Sequence, residues 1–232
     1  MIPGYTAEQI RRAEAPHLEA GEPLMERAAA GLTAVIREVL ATRGAAPGAV
    51  LVLAGSGDNG GDALFSAASL AGAGVAVRIL TTGSRVHEAG LAAAEAAGAF
   101  TAEREAEPGS EAFADLVDGV DVIVDGILGI GAGGDPGLRG RAREVVAALR
   151  PRVLMRRADA PSVVAVDLPS GIGADDGALP DGVVLPALVT VMFGGAKAGL
   201  LLAPGSGLAG RLVVVDIGTG DELAREEPAV RV

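Results

Sequence analysis

The sequence predicts an α/β fold: a Rossmann-like, doubly wound, mainly parallel sheet in a three-layer arrangement, with two extra helices at the N-terminus. Three observations predict it. Short apolar runs such as Val50, Leu51, Val52 and Leu53 carry no polar alternation, as strands covered on both faces require. Such runs alternate with helical patterns along the chain, the order that builds a parallel sheet. The first run then breaks into Gly55, Gly57, Gly60 and Gly61, with Asp58, Asn59 and Asp62 among them, before a helical pattern begins at about Asp62. Strand, glycine loop and helix together turn backbone N–H groups and a helix N-terminus toward an anionic ligand such as a pyrophosphate.

Taken in order, Thr6 and Gln9 form a capping box that opens a helix reaching about Ala20, and Pro16 is expected to kink it. Gly21 ends it. A second helix runs from about Pro23, with proline at its first position, to Thr42. Leu24, Ala28, Leu32, Val35, Ile36 and Val39 give it an apolar stripe, expected to pack on the sheet, with a second subunit as the alternative. Beyond the first strand come a helix at 62–72, a strand at 75–80, an Ala-rich helix at 85–98 and a charged loop at 103–109. A short helix at 111–117, a strand at 120–124 and a helix at about 138–150 follow. The last three strands fall at 163–166, 188–192 and 212–215. Residues 1–218 are expected to form the domain, and 219–232, charged and proline-containing, a tail or linker.

Composition narrows the function. The 232 residues suffice for one large domain, and apolar residues make up 50% but aromatics only 2%, so Ala, Val, Leu and Ile must fill the core. A net charge of -11 and the scarcity of aromatics argue against nucleic acid, which needs a basic face and stacking platforms. There are no cysteines, hence no disulfides or thiolate metal sites. No apolar signal core or 18-residue apolar run is present, so no membrane role and a cytoplasmic location are expected.

In a parallel sheet, ligands bind at the carboxyl ends of strands. Asp125 follows one predicted strand and leads into a second glycine-rich loop; Asp167 follows the next, with Ser170 and Gly171 beyond it; the loop after Phe193 carries Lys197, the only lysine. Asn59, Asp125, Asp167 and Ser170 are thereby expected along one crevice. The spacing of Gly55, Gly57 and Gly60 fits a dinucleotide fingerprint, whereas a phosphate-binding lysine after the glycines is absent. Tyr5 is the single tyrosine, and His17 and His87 fall in predicted helices, so a dehydrogenase built on a Tyr–Lys pair is excluded. No acid follows the strand at 75–80 to take a ribose, although Arg85 stands nearby. Lys197 is a candidate for reaching a phosphate.

The residues also carry a resemblance. GSGDNGGDA, VDGILGIGAGGDPGLRG and VVAVDLPSGIGADDG, with MERAA before them and TVMFGGAKAGLLLAPGSGLAGRLVVVDIG after, are similar in kind and order to the motifs of the NAD(P)H-hydrate epimerases, the YjeF N-terminal domain family. The resemblance spans essentially the whole chain.

It implies interconversion of the R and S forms of hydrated NADH and NADPH (NADHX and NADPHX), damaged cofactors hydroxylated at C6 of the nicotinamide ring. It also implies a bound potassium ion, no separate organic cofactor, a homodimer, and an ADP- or ATP-dependent dehydratase, fused or separate, of which this chain could be the epimerase half. By position, Asp58, Asn59, Gly60, Gly61 and Asp62, with Gly129, Ile130, Gly131, Ala132, Gly133, Gly134 and Asp135, would line the substrate. Asp167 would contact it as the catalytic residue, and Asn59, Asp125 and Ser170 would hold potassium, a hard cation suited to an all-oxygen shell. Asp58 stands where the family has Asn, and Gly133-Gly134 where a bulkier pair including Arg is usual; both changes are expected to weaken phosphate binding. The alternative function is a noncatalytic dimeric module of the same fold, in which the nucleotide site has degenerated.

Overall fold

A computed structural model describes residues 1–103, 106–132, 135–155 and 160–232. Its centre is a seven-stranded sheet in which each neighbouring pair of strands is parallel. In chain order these strands are β2 (Ala49–Ala54), β3 (Ala76–Thr81), β4 (Phe100–Thr101), β5 (Val122–Gly126), β6 (Ser162–Val166), β7 (Val189–Phe193) and β9 (Arg211–Val215). Across the sheet they run β4-β3-β2-β5-β6-β7-β9. Chain order reverses direction between β2 and β5, which makes the crevice above that pair the place where a ligand is expected.

The inner strands are mostly apolar because both faces are covered, whereas the edge strands β4 and β9 are partly exposed. Val50 and Val52 pack with one helix layer, formed by α2 (Leu24–Thr42), α3 (Asp58–Gly72) and α4 (Glu88–Ala96). Leu51 and Leu53, their immediate neighbours, face the other layer, formed by α5 (Glu111–Val117) and α6 (Gly140–Leu154). Period-two geometry therefore gives each layer an apolar set from the same strand. The α2 stripe packs on the sheet, with Leu32, Val35, Ile36 and Val39 against Val164, Val166 and Val191. Among the described residues, no helix is long and apolar enough to cross a membrane.

Several boundaries differ from expectation for local reasons. Helix α1 (Ala7–Glu19) has the Thr6–Gln9 capping box and continues through Pro16 as one element. Pro23 is the N-cap of α2 rather than its first residue. His87 caps α4, accepting the Gly90 N–H at 3.1 Å.

A second sheet has the order β10-β1-β8: β1 (Pro3–Tyr5) lies between β10 (Val230–Arg231), antiparallel, and β8 (Ala196–Lys197), parallel. The stretch 219–232, linker-like in composition, is folded back onto the N-terminus. Its short helix α7 (Gly220–Leu223) buries Leu223 with Tyr5, Ile10 and Ala13. Strand β1 thus ties the tail to the strand that carries Lys197.

Candidate active site

Helix α3 starts one turn earlier than the glycine-rich sequence suggests. Gly57 is extended and serves as its N-cap without a side-chain bond, so Asp58, Asn59, Gly60 and Gly61 form its first turn. Glycine normally disfavours a helix, which is why residue pattern places the start later. Close packing overrides that preference: a Cβ on Gly60 would collide with the carbonyl oxygen of Gly55, and one on Gly55 with that of Ile127. The first helical bond is Gly61 N–H to Gly57 O at 3.2 Å. The N–H groups ahead of it have no helical partner and form an anion-attracting end beside β5.

Asp125 on β5 and Ser170 beyond β6 meet directly. Ser170 donates its hydroxyl to Asp125 Oδ1 at 2.6 Å and its N–H to Oδ2 at 2.9 Å, and Ser170 Oγ accepts the Leu128 N–H at 2.9 Å. Asn59 reaches the same loop, donating Nδ2 to the carbonyls of Val166 at 2.6 Å and Leu128 at 3.2 Å. Leu128 therefore joins the three residues assigned to a cation. Asp125 is completely buried, and burial raises its pKa despite the opposing bonds from Ser170 and Ile127. Among the described residues it has no basic partner within ion-pair distance. No group of three or more His, Asp or Glu side chains there forms a metal cluster, so any cation would depend largely on neutral oxygens.

Asp167 stands at the end of β6 with φ 68, the only non-glycine residue with positive φ among the described residues. Aspartate tolerates this left-handed conformation better than most residues, at some cost in strain. The turn is held by Asp167 N–H to Val191 O at 2.7 Å. Its carboxylate is bound asymmetrically. Oδ1 accepts the Phe193 N–H at 3.2 Å and pairs with the Lys197 ammonium, whereas Oδ2 accepts no bond from the described residues. Lys197 is 1% exposed and also donates to the carbonyls of Phe193 at 2.9 Å and Gly195 at 3.3 Å. It is committed to fixing Asp167 and is not the free phosphate ligand that its place in a loop suggested.

A second carboxyl lies alongside. Asp62, on α3, is 5% exposed and has no hydrogen-bond partner among the described residues. Burial, followed by the charges of Asp167, Asp58 and Glu14 and against that of Lys197, pushes its pKa up to about 8. Half-buried Glu14, on α1, is likewise raised, first by burial and then by Asp167 and Asp58, against Lys197 and Arg11. Helix α1 thus lies over this end of the sheet and adds two charged residues to the site.

Beside Leu168 opens a cavity of about 500 Å³ lined by Arg11, Gly129, Ile130, Asp135 and Asp175 among others. Arg11 donates Nη2 to Ile130 O at 2.5 Å, leaving its remaining donors for an anion. Gly129 is required where Asn59 passes, because a Cβ would overlap the Asn59 amide. Ile130–Ala132 form a 3-10 turn with Gly131 exposed. Asp135 turns outward to the Gly137 N–H at 2.9 Å and to Arg139, which hold its pKa below the usual carboxylate value. Gly133 and Gly134 lie outside the described residues.

Motif reading missed Glu14, Arg11 and the burial of Lys197. Nothing in the α1 pattern indicates which way that helix crosses the sheet ends. Lys197 did carry a signal: a lone lysine between Phe193 and the apolar run at 200–202 calls for a buried acidic partner.

Comparison with known proteins supplies the remaining findings. A family model described as YjeF-related protein N-terminus matches residues 21–199. The chain is 50% identical over 229 residues to an NAD(P)H-hydrate epimerase of Clavibacter michiganensis subsp. michiganensis, covering 98% of this chain and 95% of that protein. It is 41% identical over 219 residues to the bifunctional NAD(P)H-hydrate repair enzyme Nnr of Mycobacterium tuberculosis, covering 92% of this chain and 41% of that one. The crystal structure of yeast ynu0 shares the fold, with a TM-score of 0.71 at 20% identity, covering 85% of this chain and 83% of that chain.

Proposed function

The chain belongs to the family of YjeF-related protein N-termini, and from that membership we propose that it is an NAD(P)H-hydrate epimerase, interconverting the R and S forms of hydrated NADH and NADPH in nicotinamide-nucleotide repair. The relative from Clavibacter that matches nearly the whole chain bears that name. The observation in the site that carries the reading is Asp167, whose Oδ1 is fixed by Lys197 and Phe193 while Oδ2 stays open. A carboxylate so held stabilises a cationic nicotinamide ring and can take part in proton transfer at C6. A noncatalytic module has no need of that arrangement.

In this reading the dinucleotide lies across the end of α3 and the 129–135 loop. Unpaired N–H groups at the α3 terminus and the guanidinium of Arg11 attract its phosphates. They offset the negative charge that Asp58 brings to the same turn. The cavity acids do not all oppose this: Asp175 Oδ1 accepts the Ala7 N–H at 2.6 Å and Asp135 is paired with Arg139.

Potassium belongs to the same proposal. A fully buried Asp125 without a basic partner among the described residues, next to the Ser170 hydroxyl and the Val166 and Leu128 carbonyls, is a donor set that fits a monovalent hard cation. Asn59, Asp125 and Ser170 would hold it. When bound, the ion would supply positive charge that neutralises Asp125 and steadies the two loops. A homodimer would use the edge strand β9, where Val214 is exposed with Leu188 near its start. A dehydratase acting on the S form, fused or separate, is the expected partner, and the cytoplasm the expected location.

The test is to incubate the chain with purified R-form hydrated NADPH and follow the S form by chromatography. Conversion well above the enzyme-free control is expected; equal rates would remove the epimerase assignment.

A further inference from the structure

We propose that Asp62 is the proton donor of this reaction, acting on the departing C6 hydroxyl while Asp167 receives the proton released when water returns. The proposal rests on the epimerase reading and adds a second catalytic residue to it.

The two carboxyl groups are equally hidden and differently partnered. Asp167 has an ammonium and an N–H on one oxygen, the environment of a carboxylate. Asp62 is 95% removed from solvent, taking its 5% exposure, yet receives no hydrogen bond from the described residues. A buried carboxylate without donors is costly, and the group avoids that cost by keeping its proton. Every element around it reinforces this. Asp167 beyond β6, Asp58 on α3 itself and Glu14 on α1 act on it with negative charge, and the cation among the described residues that offsets them, Lys197, is already bound to Asp167. A buried, protonated carboxyl without a hydrogen-bond partner among the described residues is a donor in search of an acceptor, and a substrate hydroxyl is one.

The chemistry balances as follows. The N1 lone pair forms an N1=C6 double bond as the C6–O bond breaks; the bonding electrons leave with the oxygen, which takes the Asp62 proton and departs as water. Asp62 becomes a carboxylate, and its charge joins that of Asp167 in stabilising the ring cation. Water then adds to the opposite face of C6, the double-bond electrons return to N1, and the proton shed by the adding water passes to Asp167. Exchange with solvent restores Asp62 as acid and Asp167 as carboxylate. Each inversion therefore replaces the C6 oxygen with one from solvent.

The experiment compares the whole chain with Asp62→Asn and Glu95→Gln, measuring kcat, KM and incorporation of labelled oxygen from heavy-oxygen water, with the enzyme-free rate subtracted. Asparagine preserves shape and hydrogen bonding but has no proton to give. Asp62→Asn is expected to lower kcat by about 100-fold or more, the usual range for a lost general acid, with KM within about 3-fold. Glu95→Gln, an exposed position on α4 away from the site, should retain wild-type activity, and one solvent oxygen should enter per inversion. A melting transition as sharp as wild type confirms that Asp62→Asn is folded. Asp62→Asn with kcat within about 3-fold of wild type, or inversion without solvent oxygen, overturns the assignment while leaving the epimerase reading standing. A wild-type chain no faster than the control overturns both.

Discussion

The ammonium of Lys197 and the carboxylate of Asp167 form an ion pair closed to solvent, with exposures of 1% and 4%. Its two carbonyl acceptors and the Phe193 N–H complete the set, so each partner is satisfied only while the other is present. Lys197→Met would leave a buried charge with one N–H for company. Breaking such a pair costs about 3–5 kcal/mol, whereas removing both charges costs far less. In urea unfolding, Lys197→Met should therefore lose stability of that order, and Lys197→Met with Asp167→Asn should recover much of it. Equal stability of the single variant and wild type would mean that the pair contributes nothing.

Asp167 has a conformational as well as a chemical role, and two substitutions separate them. Asparagine accepts the left-handed backbone at φ 68 and keeps the side-chain shape. Asp167→Asn should thus keep the turn and bind dinucleotide, with turnover lost and with the stability cost of leaving the buried Lys197 ammonium unpaired. Asp167→Ala should in addition lose about 1–2 kcal/mol to the strained backbone. Thermal melts and binding titrations of both variants check this; substantial turnover by Asp167→Asn would take the residue out of the chemistry.

The raised pKa of Asp62, about 8 against the ordinary 3.8 of an aspartate, fixes a pH window. Between those values the folded chain holds a proton that the unfolded chain has released, so stability falls as pH rises from about 4 to 8 and the loss levels off beyond. Asp62→Asn removes the drift. It should match wild type near pH 4 and exceed it by a few kcal/mol at pH 8, each tenfold change in proton affinity being worth about 1.4 kcal/mol. Activity should hold through that window and decline as pH rises through about 8, where the donor ionises in the folded chain. Parallel stability curves for variant and wild type would show that Asp62 titrates normally.

How far the site was legible depended on which forces set each part. Strand cores such as 50–53 and 163–166 are recognisable because a strand buried on both faces must be apolar at every position, and their ends locate Asp125 and Asp167 directly. The start of α3 was not, because glycines chosen for contact with Gly55 and Ile127 mimic a loop. The short strands β1, β8 and β10 have two or three residues each, too few for any periodicity. Their pairing is tertiary: it brings α1, with Arg11 and Glu14, over strand ends more than a hundred residues away. Lys197 was visible, but its partner was not, since only the φ 68 turn aims Asp167 at it.

The cation assigned to Asn59, Asp125 and Ser170 makes a prediction about ions. A ligand that binds only the folded chain stabilises it by about 2.7 kcal/mol at one hundred times its dissociation constant. At constant ionic strength, melting temperature should rise when potassium replaces lithium. Asp125→Asn should abolish the difference, because the neutral amide has no charge for the ion to balance. Identical melting in both salts for wild type would remove potassium from the site.

The tail supplies the last prediction. His17 stands between two carboxylates, Nδ1 at 2.9 Å from Glu22 Oε1 and Nε2 at 3.0 Å from Glu222 Oε2. Both nitrogens can donate only in the charged ring, and Glu222 first, then Glu22, raise its pKa. The sign is therefore that of a group gaining partners on folding: its contribution is complete below the unfolded value near 6.5 and is lost as pH rises through the higher folded value. Nearby, Arg12 holds Glu226 at 2.9 Å and Gln9 Nε2 donates to Glu227 O at 2.7 Å, bonds that do not titrate in this range. Alkaline solution should loosen α7 from α1 without releasing the tail altogether. Trypsin cleavage after exposed Arg225 should accelerate as His17 discharges, and backbone hydrogen exchange at Val232, whose N–H meets Ile2 O at 3.2 Å, should rise with it beyond the ordinary base-catalysed increase. His17→Gln should show the faster rates already at pH 6 and no further step. Because β1 lies between β10 and β8, loosening of the tail should reach Lys197 last. Epimerase activity should then persist where tail protection has gone, and simultaneous loss of both would mean that the tail strand itself holds the Lys197–Asp167 pair in place.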